Sequence, residues 1–90
     1  MIYEKSTKEE IEEILRTRFC PLELTVIDES HLHRNHVEAK AHPQAGHFKV
    51  ILKSKEFEGL SLIKRHRLIY EALGPLMHSR IHALSMDLTY

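Results

Sequence analysis

Cysteine is almost missing from this chain, with one residue, Cys20, among ninety. A lone thiol excludes an internal disulfide and any metal site built from cysteine alone. Glycine is sparse as well. Gly46, Gly59 and Gly74 are the only three, and no two of them form the GxxG clamp of an RNA-binding KH loop or a phosphate-cradling loop. No apolar run approaches the roughly 20 residues that cross a bilayer. The N-terminus, Met1-Ile2-Tyr3-Glu4-Lys5, lacks the apolar stretch of a secretory signal. Neither sign of charge is in excess: 13 basic and 13 acidic side chains cancel, which removes any general pull toward nucleic acid or anionic membrane. There is no GxSxG, no HExxH and no convincing Ser-His-Asp order, so nothing argues for an enzyme. These absences lead us to expect one small soluble domain over residues 1–90, in the cytoplasm, with a core that is marginal at this length.

What the chain has in quantity is histidine. There are eight, and five of them, His31, His33, His36, His42 and His47, fall between positions 31 and 47.

Periodicity divides the rest into elements. Ser6-Thr7-Lys8-Glu9 reads as a capping box, in which the Ser6 hydroxyl meets the Glu9 amide and the Glu9 carboxylate reaches back. Ile11, Ile14, Leu15 and Phe19 follow at helical spacing, and Pro21 stops the helix. Leu22, Leu24 and Val26 alternate with Glu23, Thr25 and Ile27, as on a strand with one face in the core. Residues 28–46 show no period and hold Pro43 and Gly46, so a long loop is expected; in so small a domain such a loop is functional or disordered. Phe48, Val50 and Leu52 form the inner row of a second strand, pairing with the first. A second helix is expected from an N-cap at Ser61 to Leu73, ended by Gly74-Pro75. Its stripe is Leu62, His66, Ile69 and Leu73, with Ile63 and Tyr70 beside it. One further helical turn is expected over Leu76–Ser79. Last, His82, Leu84, Met86 and Leu88 alternate with Ile81, Ala83, Ser85 and Asp87 as a third strand. The order α-β-β-α-β implies an α+β fold, a three-stranded sheet with the helices on one face.

Several of these segments carry a family resemblance. His47-Phe48-Lys49-Val50-Ile51-Leu52, then Phe57-Glu58-Gly59, then Arg65-His66-Arg67-Leu68-Ile69-Tyr70, then Ile81-His82-Ala83-Leu84 resemble, in order and spacing, the BolA family. Those are small proteins that pair with monothiol glutaredoxins. The likeness covers most of the chain and is weakest at the N-terminus. It implies a fold like the class II KH domain, here without the GxxG loop.

The resemblance also assigns residues. His82 stands where the family places an iron–sulfur ligand. Taken without the family, a strand histidine at a core margin is an ordinary structural residue held by a backbone hydrogen bond. In relatives the loop before the second strand supplies a second ligand. His36 best matches that loop position, while His47, fixed at the mouth of a strand, is geometrically more attractive because a ligand on a rigid element loses less entropy on binding. The choice between them is open at this level. A [2Fe–2S] cluster needs four ligands, and Cys20, at the end of the first helix, reads as a buried or incidental thiol. The family's missing ligands come from a glutaredoxin cysteine and bound glutathione, so the implied assembly is a heterodimer sharing one cluster.

Two rival readings remain. The basic run Lys64, Arg65 and Arg67 lines either a protein-partner surface or a DNA-binding helix, since BolA-like proteins have been linked to transcription control. Zero net charge makes DNA binding weak and salt-sensitive. Alternatively, His31, His33 and His36 gather a metal ion without any partner, although their spacing is not a zinc signature.

Overall fold

The structure is a computed structural model describing residues 5–30 and 46–90. Helix α1 covers Thr7–Phe19 and starts as its sequence dictates, with the Ser6 hydroxyl accepting from the Glu9 amide. Its end is set one residue before Pro21. Cys20 takes a left-handed conformation (φ 45°) and its N–H donates to the Arg16 carbonyl, the usual work of a glycine cap. That position leaves the Cys20 thiol exposed rather than buried.

Strand β1 is Glu23–Asp28, β2 is Gly46–Lys53, and β3 is Ile81–Thr89, in sheet order β1-β2-β3. The β1–β2 pair is antiparallel, with Val26 opposite Val50, and the β2–β3 pair is parallel, with Val50 opposite Met86. Between β2 and β3 come a single 3-10 turn, Lys55–Phe57, then helix α2, Leu62–Ala72, and a second 3-10 turn, Gly74–Leu76. Gly59 supplies a positive φ of 78° in the turn where the Leu60 N–H meets the Phe57 carbonyl. Ser61 caps α2 by accepting from the Lys64 amide. The further helical turn expected over Leu76–Ser79 is instead the tighter turn Gly74–Leu76, in whose first turn the fixed φ and missing N–H of Pro75 are accommodated.

Both helices cover one face of the sheet. The core joins Ile11, Leu15 and Phe19 of α1 to Val26, Phe48, Val50, Leu52 and Leu88 of the sheet, with Ile69 and Leu73 from α2. Each such side chain removed from water contributes about 1.5–3 kcal/mol. Phe57 enters from the 3-10 turn and meets Phe19 at a tilt of 43°, with ring centroids 5.4 Å apart. The buried Ser54 hydroxyl donates to the Phe19 carbonyl at 2.9 Å and also accepts from the Glu56 amide, so one side chain closes α1 and starts the turn.

Two residues expected in apolar rows are not buried. Leu22 is 57% exposed because β1 begins one residue later, at Glu23. Leu62 is 64% exposed although it shares a stripe with Ile69 and Leu73; the first turn of α2 runs past the end of the core. The other face of the sheet carries Thr25, Lys49, Ser85 and Asp87, a mixed polar row with the half-exposed Ile27 and Ile51.

Candidate functional site

At the start of the β2–β3 pairing the ladder is irregular. Gly46 stands opposite Ile81 and His47 opposite Ala83, so His82 is an extra residue in the ladder. Such a bulge bends its strand and re-aims a side chain. In a regular strand the imidazole of His82 would follow Leu84 and Met86 onto the helix side, while that of His47 would lie with Lys49 on the other. With the bulge, the two rings meet with centroids 5.2 Å apart and planes at 52°. His47 is buried and His82 half-buried.

The backbone around His47 is held on both sides. Its carbonyl accepts from the Glu29 N–H at 2.7 Å, and its own N–H donates to the Ser30 hydroxyl at 3.1 Å. Ser30 is itself fixed by its N–H to the Asp28 carboxylate. Before His47, the Gly46 N–H donates to the Arg80 carbonyl, while the Arg80 guanidinium pairs with Glu10 of α1 at 2.6 Å. Gly46 is closely packed here. A Cβ at this position would lie 2.6 Å from the Phe48 ring and 2.8 Å from the Ser30 hydroxyl. Ser30, Gly46 and Arg80 therefore set the imidazole pair, and none of them stood out in the sequence. The Asp28-x-Ser30 turn and the glycine directly before His47 are the local signals that mark them.

A shallow depression of about 320 Å³ opens beside His47, with Phe48, Ala83 and Leu84 giving it apolar walls and Glu29 and Ser85 polar ones. Two imidazoles that share one metal atom have ring centroids roughly 5 Å apart, given metal–nitrogen bonds of about 2.1 Å, so the 5.2 Å spacing of this pair is compatible with such a site. No group of three or more histidine, cysteine or acidic side chains that could hold a metal ion occurs among the described residues. Among the described residues His47 and His82 are thus the candidate ligands, and Cys20 is not grouped with them.

The other residues singled out from the sequence separate. His31, His33, His36 and His42 lie outside the described residues. Arg65 is drawn into the fold. Its Nε donates to the Leu60 carbonyl and its Nη1 to the Leu88 carbonyl, each at 3.0 Å, and its guanidinium lies 5.3 Å from the centre of the Tyr90 ring. Lys64 and Arg67 are exposed. His66, half-buried, sits between them without joining His82.

Comparisons with known proteins bear on the fold and the family. The family profile described as BolA-like protein matches residues 15–90. DNA-binding transcriptional regulator BolA of Escherichia coli is 39% identical over 79 residues, covering 88% of this chain and 70% of that protein. SufE-like protein 1, chloroplastic/mitochondrial, of Arabidopsis thaliana is 41% identical over 81 residues, covering 84% of this chain but 21% of that longer protein. Among solved structures, the BolA domain of SufE1 from Arabidopsis thaliana superposes with a TM-score of 0.81 at 37% identity, covering 97% of this chain and 94% of that one. BolA1 from Mus musculus gives 0.75 at 29% identity, covering 99% of this chain and 69% of that one. With the profile matched over most of its length and the same α+β fold, the chain belongs to the BolA family.

Proposed function

We propose that this protein shares a [2Fe–2S] cluster with a monothiol glutaredoxin in the cytoplasm, and acts in the assembly or trafficking of such clusters or in iron-responsive regulation. The observation that carries the reading is the His47–His82 pair, two imidazoles brought together by a strand bulge with centroids 5.2 Å apart, a spacing compatible with sharing one iron. His47, on β2, takes the role of the second ligand for which His36 was the other candidate. A glutaredoxin cysteine and glutathione complete the four ligands. Neutral imidazoles in place of thiolates make a cluster less negative and raise its potential, as Rieske centres show. The chain's own part is to hold both rings on a paired strand, so little order has to be gained when the cluster arrives. The existence of a SufE-like protein with a BolA domain of this structure supports an iron–sulfur setting.

The DNA-binding reading has the name of the Escherichia coli relative in its favour. On this chain it is weaker: of its three chosen cations, Arg65 is engaged with backbone carbonyls.

The test mixes the protein with a cluster-loaded monothiol glutaredoxin and glutathione and follows visible absorption and circular dichroism. A new spectrum that is absent with His47→Ala and with His82→Ala supports the reading. A glutaredoxin spectrum unchanged by wild-type protein, with no complex formed, sinks it.

A further inference from the structure

The basic helix and the histidine pair lie at opposite ends of β3. Arg65 reaches the Leu88 carbonyl at 3.0 Å, whereas His82 opens the strand, six residues earlier. At roughly 3.3 Å per residue the two points are about 20 Å apart along the strand. The first turns of α2 are therefore remote from the imidazoles, and that end has an unusual surface of its own.

Leu62 and Ile63 are 64% and 65% exposed, and Tyr70 is 41% exposed. Ile63, Arg67 and Tyr70 follow each other at the four- and three-residue steps that place side chains on one helical stripe. Lys64 and Arg67 make no ion pair with any other described residue. The first turn of α2 holds no acidic residue, although that is where a helix dipole favours one and disfavours cations. Within an otherwise neutral chain, aliphatic groups, a tyrosine and two cations without an ion pair among the described residues are thus gathered on the exposed side of α2, with Leu62, Ile63 and Lys64 in its first turn. Tyrosine and arginine are the residues enriched where proteins meet, and an exposed i, i+4, i+7 stripe is how a helix presents anchors to a groove. Phosphate backbones offer nothing to Leu62 and Ile63. A lipid surface would gain only two aliphatic side chains, too few to retain a neutral protein.

We propose that the exposed face of α2 from Leu62 to Tyr70 is a second docking surface, for a protein partner that offers an apolar groove rimmed by carboxylates. It is usable while the His47–His82 site is occupied. Ile63 and Tyr70 enter the groove, with Leu62 at its end, and Lys64 and Arg67 meet the acidic rim. This surface does not depend on the cluster reading, and its test is separate from that one.

The probe is a randomised peptide library displayed on phage and panned on the full chain, with the enriched peptides then synthesised. The expected result is peptides combining acidic and apolar residues. Their binding weakens with added salt and by about tenfold or more with Ile63→Ser or Arg67→Glu, the size of a central interface contact. The same peptides perturb amide resonances of residues 62–71 and bind His82→Ala as well as wild type. Because Ile63 and Arg67 are exposed, both variants keep the native circular dichroism, and Leu62→Ser gives a third check. Enriched peptides without acidic residues overturn the proposal, as does binding indifferent to these substitutions. So does a surface that instead binds duplex DNA or phosphatidylserine vesicles and loses that binding with Arg67→Glu.

Discussion

The imidazoles of His47 and His82 face each other at 5.2 Å because β3 carries one residue more than β2 at the start of their pairing. With regular pairing, strand alternation would send the two rings to opposite faces of the sheet.

A first expectation concerns the two rings as a unit. In the mixed complex with a monothiol glutaredoxin, His47→Ala and His82→Ala should each remove the new visible circular dichroism, and the double variant should do no more than either alone. Ligands to one metal atom behave in this non-additive way. His36→Ala should leave the spectrum in place. If instead His36→Ala removes it and His47→Ala does not, the second ligand lies on the loop.

The backbone that aims the pair can be probed without touching either ring. Gly46→Ala puts a methyl group 2.6 Å from the Phe48 ring, at the site of the bulge. Overpacking of this kind costs about 1–3 kcal/mol. A lower midpoint of urea unfolding with an unchanged slope is expected, together with weaker cluster binding. An unchanged midpoint would show that Phe48 and Ser30 give way easily.

What was readable in the sequence, and what was not, divides along physical lines. The caps at Ser6 and Ser61 and the inner rows Phe48-Val50-Leu52 and Leu84-Met86-Leu88 are local patterns, and each appears where its pattern puts it. The bulge at His82 was not readable. It arises from pairing between distant segments and from a close approach at Gly46 that leaves only a short local trace. Leu22 and Leu62 have the right period and the wrong exposure, because periodicity gives a direction around an element and not where the core ends along it. Arg65 was read as a surface cation since charge alone says nothing of a long side chain turning back onto main-chain carbonyls.

Ser54 offers a second stability test. Its buried hydroxyl donates to the Phe19 carbonyl and accepts from the Glu56 amide. Ser54→Ala removes a cap and leaves the carbonyl at the end of α1 without that donor, a loss of about 1–3 kcal/mol. Thermal unfolding should shift down accordingly, with the cluster spectrum of the mixed complex unaffected at temperatures where the variant is folded. An equal loss with Ser54→Thr would point to crowding rather than to the hydrogen bond.

Arg65 and Arg67, two residues apart on α2, should behave in opposite ways. Arg65 ties the turn before α2 to the end of β3 through the Leu60 and Leu88 carbonyls, and its guanidinium lies against Tyr90. In the parallel ladder the Thr89 carbonyl accepts from Ser54, so alternation turns the Leu88 carbonyl to the outer edge of β3. Arg65 therefore closes one end of an edge that would otherwise offer itself to another strand. Hydrogen bonds from a charged donor contribute more than neutral ones, and for a half-buried arginine the net loss in Arg65→Ala should be about 1–3 kcal/mol. Arg67 is exposed, and Arg67→Ala should stay within about 0.5 kcal/mol of wild type. Chemical denaturation of the two variants side by side decides it. If Arg65→Ala is as stable as Arg67→Ala, the guanidinium is not holding the edge, and Arg65 returns to the set of surface cations.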